Sequence, residues 1–62
     1  MTYRKAKKLQ NGSRIFVKKT NELKIVIRKT ECIGKDGDKY FDILCDDYTS
    51  YYNTEVEAYE KD

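Results

Sequence analysis

Wherever apolar side chains are dense in this chain they recur at every second position, the spacing of a strand buried on one face. Ile15 and Val17 alternate with Arg14, Phe16 and Lys18. Leu23, Ile25 and Ile27 alternate with Lys24, Val26 and Arg28, and Phe41, Ile43 and Cys45 with Tyr40, Asp42, Leu44 and Asp46. The runs are rich in β-branched and aromatic residues and predict three strands, over 14–17, 23–28 and 40–46, with the first-named residues facing the core. Turn chemistry stands beside each run: Asn11-Gly12 before the first, Thr20-Asn21 between the first two, and Gly34-Lys35-Asp36-Gly37-Asp38 before the third.

Beyond the third run, Asp46-Asp47-Tyr48-Thr49 suits a tight turn into a short strand over 50–52. Asn53-Thr54-Glu55 suits a single tight turn before a closing strand over 56–59. A helix over 54–61 competes with that closing strand, but the segment is short for one. The N-terminal residues 1–10 alternate poorly and carry Arg4, Lys5, Lys7 and Lys8, so they read as a flexible basic arm ahead of one domain over 11–60. Five short antiparallel strands need closure to cover their edges. The expected fold class is therefore all-β: a small, five-stranded, antiparallel SH3-like barrel.

Sixty-two residues make one domain with a small core and little material to wall a deep pocket, so a binding surface belongs on an outer face. Charged residues are 39% of the chain and mean hydropathy is −0.91, yet the compact apolar runs and the net charge of only +2 argue for a folded body. No apolar run reaches the roughly 18 residues of a membrane span, and the basic N-terminus leads into no apolar segment. Cys32 and Cys45 lack metal-ligand spacing and do not face each other across the Asp36-Gly37 hairpin. Free thiols in a reducing cytoplasm are expected, with no cofactor and no metal.

Charge is divided unevenly. Residues 1–29 hold ten basic side chains and one acid, and residues 30–62 hold three basic and ten acidic, so the halves are about +9 and −7 and sum to +2. Six tyrosines are many for this length, and four of them fall between positions 40 and 52. The preference for lysine over arginine and the frequent Ile, Tyr and Asn have the look of an AT-rich genome. A very small, charged, intracellular barrel of that kind also fits a phage or mobile-element accessory protein.

Catalysis is not expected. Without histidine there is no ordinary proton shuttle near neutral pH, and neither the cysteines nor the serines have a base to activate them. Asp36, Asp38, Asp46 and Asp47 are explained by turns, and Asp36-Gly37-Asp38 lacks the further ligands of a calcium loop. Two binding surfaces remain. Tyr40, Asp46, Asp47, Tyr48, Tyr51 and Tyr52 make an acidic aromatic patch suited to a protein partner with a basic segment. Lys18, Lys19, Lys24, Arg28 and Lys29 make the alternative, a basic face on the first two strands for nucleic acid. Opposite charges on neighbouring strands also pair internally, which accounts for the division without any ligand. The chain is expected to be a monomer or a weak homodimer.

The stretch Tyr40-Phe41-Asp42-Ile43-Leu44-Cys45-Asp46-Asp47-Tyr48-Thr49-Ser50-Tyr51-Tyr52-Asn53-Thr54-Glu55-Val56 resembles the second half of a Tudor or related SH3-like module. Asp46-Asp47-Tyr48 matches that family's acidic turn and Glu55-Val56 its acidic-Val ending, while Thr49 stands where the family has a turn glycine. Phe16 is the only aromatic residue of the first strand, and no clear match completes a methyl-lysine cage. The resemblance implies a barrel with a ligand face near Tyr40, Tyr48, Tyr51 and Tyr52. Proline-binding SH3 domains fit less well, since the chain has no tryptophan and no proline.

Overall fold

A computed structural model describes residues 1–59. A short helix, α1 (Tyr3–Lys7), precedes strands β1 (Arg14–Val17), β2 (Glu22–Ile33), β3 (Lys39–Cys45), β4 (Ser50–Tyr52) and β5 (Val56–Ala58), with a 3-10 turn (Asn53–Glu55) between the last two. The five strands form one antiparallel sheet in the order β4-β3-β2-β1-β5. All five expected strands are present, and Asn53-Thr54-Glu55 makes the expected tight turn. The closing strand ends one residue early. The upper bound of the expected domain, residue 60, and the end of the competing 54–61 helix lie outside the described residues. β4 and β5 share no ladder, so the small sheet is compatible with an SH3-like fold but is not hydrogen-bonded shut.

β2 belongs to both halves of the sheet. Its first part pairs with β1 and its later part with β3, and a bulge between Val26 and Arg28 separates the two registers. A bulge puts an extra residue into one strand, bends it and increases its twist. Ile27 is that residue here. Beyond it the inward positions fall on Lys29 and Glu31, opposite Ile43 and Phe41 of β3.

This register overturns the expected facing of β2. Val26 is buried at 1% exposure, whereas Leu23, Ile25 and Ile27 are 55%, 45% and 42% exposed. The cause is the pairing with β1. Ile15 and Val17 are its inward residues, and they stand opposite Lys24 and Glu22, so Val26 shares their face. With a side-chain period of two, one residue of register moves a whole apolar set to the other face. The turn that sets the register is tight: Asn21 takes a left-handed φ of 62° and its amide donates to the Val17 carbonyl at 2.7 Å. β1 and β3 face as expected, with Ile15, Val17, Phe41, Ile43 and Cys45 buried.

The segment expected as a basic arm lies against the body instead. Thr2 caps α1, its hydroxyl accepting from Lys5 N. Ala6 is fully buried, Met1 joins the core, and the Tyr3 ring stacks on Phe41 at 5.1 Å. The residues that look like poor alternation are one amphipathic turn, with Tyr3 and Ala6 inward and Arg4, Lys5, Lys7 and Lys8 outward. Its weight on the body comes from packing, because five residues are too few for a helix to stand alone.

Asn53 ties these parts together. It is buried, its Oδ1 accepts from Phe41 N at 2.9 Å, and its Nδ2 donates to the Met1 carbonyl at 2.9 Å. The Met1 amino group in turn donates to the Val56 carbonyl at 2.7 Å and pairs with Glu57. Asn53→Ala strands a buried donor and a buried acceptor and is expected to cost roughly 2–4 kcal/mol in urea unfolding at unchanged m-value.

Candidate functional site

Tyr40 and Tyr52 come together on the outer face of β3 and β4. Each follows or precedes inward residues on its own strand: Phe41 beside Tyr40 is buried, and Tyr51 beside Tyr52 packs against the core. The two rings meet edge to face, with centroids 5.4 Å apart and planes at 90°. This geometry sets the positive edge of one ring against the negative face of the other and holds both rigid. Asp42 sits opposite Tyr52 in the ladder and Cys32 opposite Tyr40. With Asn53 and Thr54 the two rings line an open cleft of about 320 Å³. The Tyr40 phenol is held above its ordinary value, first by the neighbouring Cys32 sulfur, then by burial and Tyr52.

The β3–β4 turn displays Tyr48. Tyr48 N donates to the Cys45 carbonyl at 2.9 Å, and Cys45 N to the Thr49 carbonyl at 3.0 Å. Asp47 Oδ1 accepts from Thr49 N at 3.0 Å, the local bond that makes aspartate a turn former. The left-handed conformation falls on Tyr48, at φ 61°, and not on Thr49, where the resembling family has glycine. Tyr48 ends 86% exposed.

Asp47 and Tyr51 are engaged elsewhere. Tyr51 Oη donates to Asp47 Oδ2 at 3.0 Å, and Lys24 Nζ reaches the same oxygen at 3.1 Å and Glu22 at 3.7 Å. Lys24 is here because the β2 register turns it to the inner side, where its ammonium needs acceptors. Burial pushes the Asp47 carboxyl up, but the Thr49 amide, Lys24 and Tyr51 outweigh it and hold the group below its ordinary value. The hydrogen bond to Asp47 raises Lys24, and the same carboxylate raises Tyr51. Asp46 lies apart from both clusters, beside Ile25, whose amide donates to its Oδ1 at 3.3 Å. The six residues of the acidic aromatic patch thus divide into an outward pair, an exposed tip, an inner network and a lone Asp46.

The basic set is more scattered. Lys18 lies 3.7 Å from Glu57, Lys19 is in the β1–β2 turn, and Lys24 is matched by Asp47. Arg28 faces outward opposite Leu44. Lys29 lies under α1, its Nζ donating to the carbonyls of Ala6 (2.9 Å) and Lys7 and sitting 5.0 Å over the Phe41 ring. Burial, then the Lys7 charge, lowers it. These side chains therefore open to different sides of the molecule.

Asp42, a flank of the acidic patch in the sequence, stands beside the outward tyrosine pair. One feature of the surface is not in the sequence-based site: the aliphatic row on β2 faces solvent. Val26 carried the signal for it. An apolar residue in the supposedly polar phase of a strand leaves the facing undecided until a partner strand sets it.

Among the described residues no three His, Cys, Asp or Glu gather closely enough to hold a metal ion, and no helix is long and apolar enough to cross a membrane. Asp47→Asn is expected to lower the thermal midpoint near pH 7. Because the folded-state carboxyl is depressed, its contribution is present above the ordinary value of about 3.9 and lost as pH falls through the folded value. The two proteins should therefore converge in acid, and a constant difference from pH 7 to pH 2 would contradict the network. Cys45 is fully buried and its thiol is pushed up to about 11, by burial first and then by Asp47 and Asp46. Alkylation of the native protein at pH 8 with mass readout should mark Cys32 and spare Cys45 until denaturant is added.

Comparison with protein-family models, with curated proteins and with solved structures finds no match to this chain.

Proposed function

We propose that this chain is a non-enzymatic binding module of SH3-like, Tudor-related type that recognises a basic segment of a protein partner. The outward Tyr40–Tyr52 pair with Asp42 beside it carries the reading. Two rigid aromatic rings at a right angle offer a face and an edge, and a carboxylate within the same row supplies charge. That combination favours a lysine or arginine side chain through cation–π and ion-pair contact. Tyr48, held out at the turn by the Asp47 bond, adds reach on the same β3–β4 hairpin. The strand order, the bent β2 and the 3-10 turn before β5 support the SH3-like assignment. The absence of histidine from the sequence supports a role without catalysis.

Asp47 and Tyr51 support the site in this reading and do not contact the ligand, since Lys24 already neutralises Asp47. The acidity offered to a partner comes from Asp42, opposite Tyr52 in the ladder. A site with so few charges binds weakly in high salt, where the Debye length shrinks to about 3 Å at 1 M.

The test is an amide-shift titration of isotope-labelled protein with a lysine- and arginine-rich decapeptide, with its glutamate-substituted counterpart and a single-stranded oligonucleotide as controls. Shifts should gather at Tyr40, Asp42 and Tyr52 with the basic peptide only. Tyr52→Ala, at an exposed position, should weaken that binding about tenfold while leaving the fold intact. Absence of shifts with the basic peptide would sink the proposal. Shifts with the oligonucleotide around Arg28 and α1 would replace it with a nucleic-acid interface.

A further inference from the structure

The outer side of the β1–β2 half carries a row of aliphatic side chains that the core does not use. Leu23, Ile25 and Ile27 are 55%, 45% and 42% exposed, and Phe16 of β1 stands half-buried opposite Leu23. Branched aliphatics are costly to leave in water, at about 25 cal/mol per Å² of apolar surface. A domain this small has few of them to spare. Contiguous apolar surface of this kind on a soluble chain marks an interaction face.

What covers it is indicated by the charges on its two flanks. Ile25 lies between Arg14, its ladder partner on β1, and Asp46, whose amide and Oδ1 bond the Ile25 backbone from the β3 side. The row is thus basic on one edge and acidic on the other. Among the described residues neither Arg14 nor Asp46 has a salt-bridge partner. A two-fold axis along β2, lying in the plane between two molecules, places the β1 side of one copy over the β3 side of the other. Each Arg14 then meets the Asp46 of its mate, and the aliphatic rows stack across the axis. An isologous contact needs this self-complementarity.

We propose that this face is a homodimer interface, formed by the Leu23–Ile25–Ile27 row of two copies packed face to face and registered by reciprocal Arg14–Asp46 pairs. Strands of four residues make the face small, below the about 800 Å² per partner of a standard interface, so the dimer is weak and concentration-dependent. The Tyr40–Tyr52 pair lies on the other half of the bent β2, and the two surfaces do not compete. The dimer presents that pair twice, which raises the avidity for a partner with repeated basic segments. The interface stands whether or not the basic-peptide reading holds.

Sedimentation equilibrium of the purified chain from about 10 µM to about 1 mM, at low salt, is the test, since that range reaches millimolar dissociation constants. The wild-type chain should move from monomer to dimer mass. Ile25→Lys, at an exposed position, should keep the fold by circular dichroism and remain monomeric. Arg14→Glu and Asp46→Lys should each weaken self-association about tenfold, because each sets like charges against one another. An equimolar mixture of the two should associate again, since both cross pairs are then complementary. A wild-type chain that is monomeric throughout, or an Ile25→Lys chain that dimerises as well as wild type, would overturn the proposal. So would a mixture no tighter than either variant alone, provided both are folded. Should the wild type be monomeric while Ile25→Lys weakens capture of the basic peptide, the face belongs to a different protein and the dimer is excluded.

Discussion

The placement of β2 against its two neighbours governs most of this molecule. Ile15 and Val17 of β1 meet Lys24 and Glu22, so the first half of β2 contributes Val26 to the interior and turns two charged residues inward beside it. The bulge after Val26 then resets the phase, and Lys29 and Glu31 become the inward residues of the second half. Glu22 and Glu31 keep their carboxylates exposed at the rim, whereas Lys24 and Lys29 are half-buried and each needs acceptors, because an unpaired charge removed from water is expensive.

Those partners account for the remaining architecture. Asp47 and Tyr51, brought round by the β3–β4 turn, receive Lys24. α1 covers the other end, where the carbonyls of Ala6 and Lys7 accept from Lys29 and the Tyr3 hydroxyl meets Glu31. The N-terminal turn is docked for the same reason. Its apolar side fills the space above Phe41, and the carbonyls of its last turn, Ala6 and Lys7, also accept from the half-buried Lys29 ammonium. Asn53 then bonds both β3 and Met1, joining that cap to the sheet.

The interior is a small apolar core with Asn53 as its buried polar side chain among the described residues, so the candidate surfaces for recognition are on the outside. The bend in β2 separates them into two. One half offers tyrosines and a carboxylate, the surface proposed for a basic peptide. The other offers branched aliphatics with opposite charges on its flanks, the surface proposed for a second copy of the same face. The pronounced charge division along the chain has a mixed meaning in this setting. Lys24 with Asp47 and Lys18 with Glu57 are internal complements, whereas Arg14 and Asp46 stay at the surface.

How much of this was legible in the sequence differs by residue. The period-two runs and the turn residues beside them determined five strands in their order, and the facing of β1 and β3, since every position of the Ile15-Val17 and Phe41-Ile43-Cys45 phases is apolar while the opposite phases mix apolar with charged or polar residues. Turn chemistry likewise placed Asp47 and Tyr48. The facing of β2 was not legible, because Leu23, Ile25, Val26 and Ile27 supply apolar residues in both phases, and only pairing with β1 chooses between them. The docking of α1 was not legible either. Its five residues have no stability of their own, and the ammonium and ring that hold them lie more than twenty residues away. The tyrosines were visible as candidates, but whether each points to the core, to Asp47 or to solvent depends on register. Local periodicity and turn preference are properties of neighbouring residues and can be read along the chain. Which face of a strand is buried, and which charges neutralise each other, depends on residues distant in sequence, and only the tertiary structure decided them.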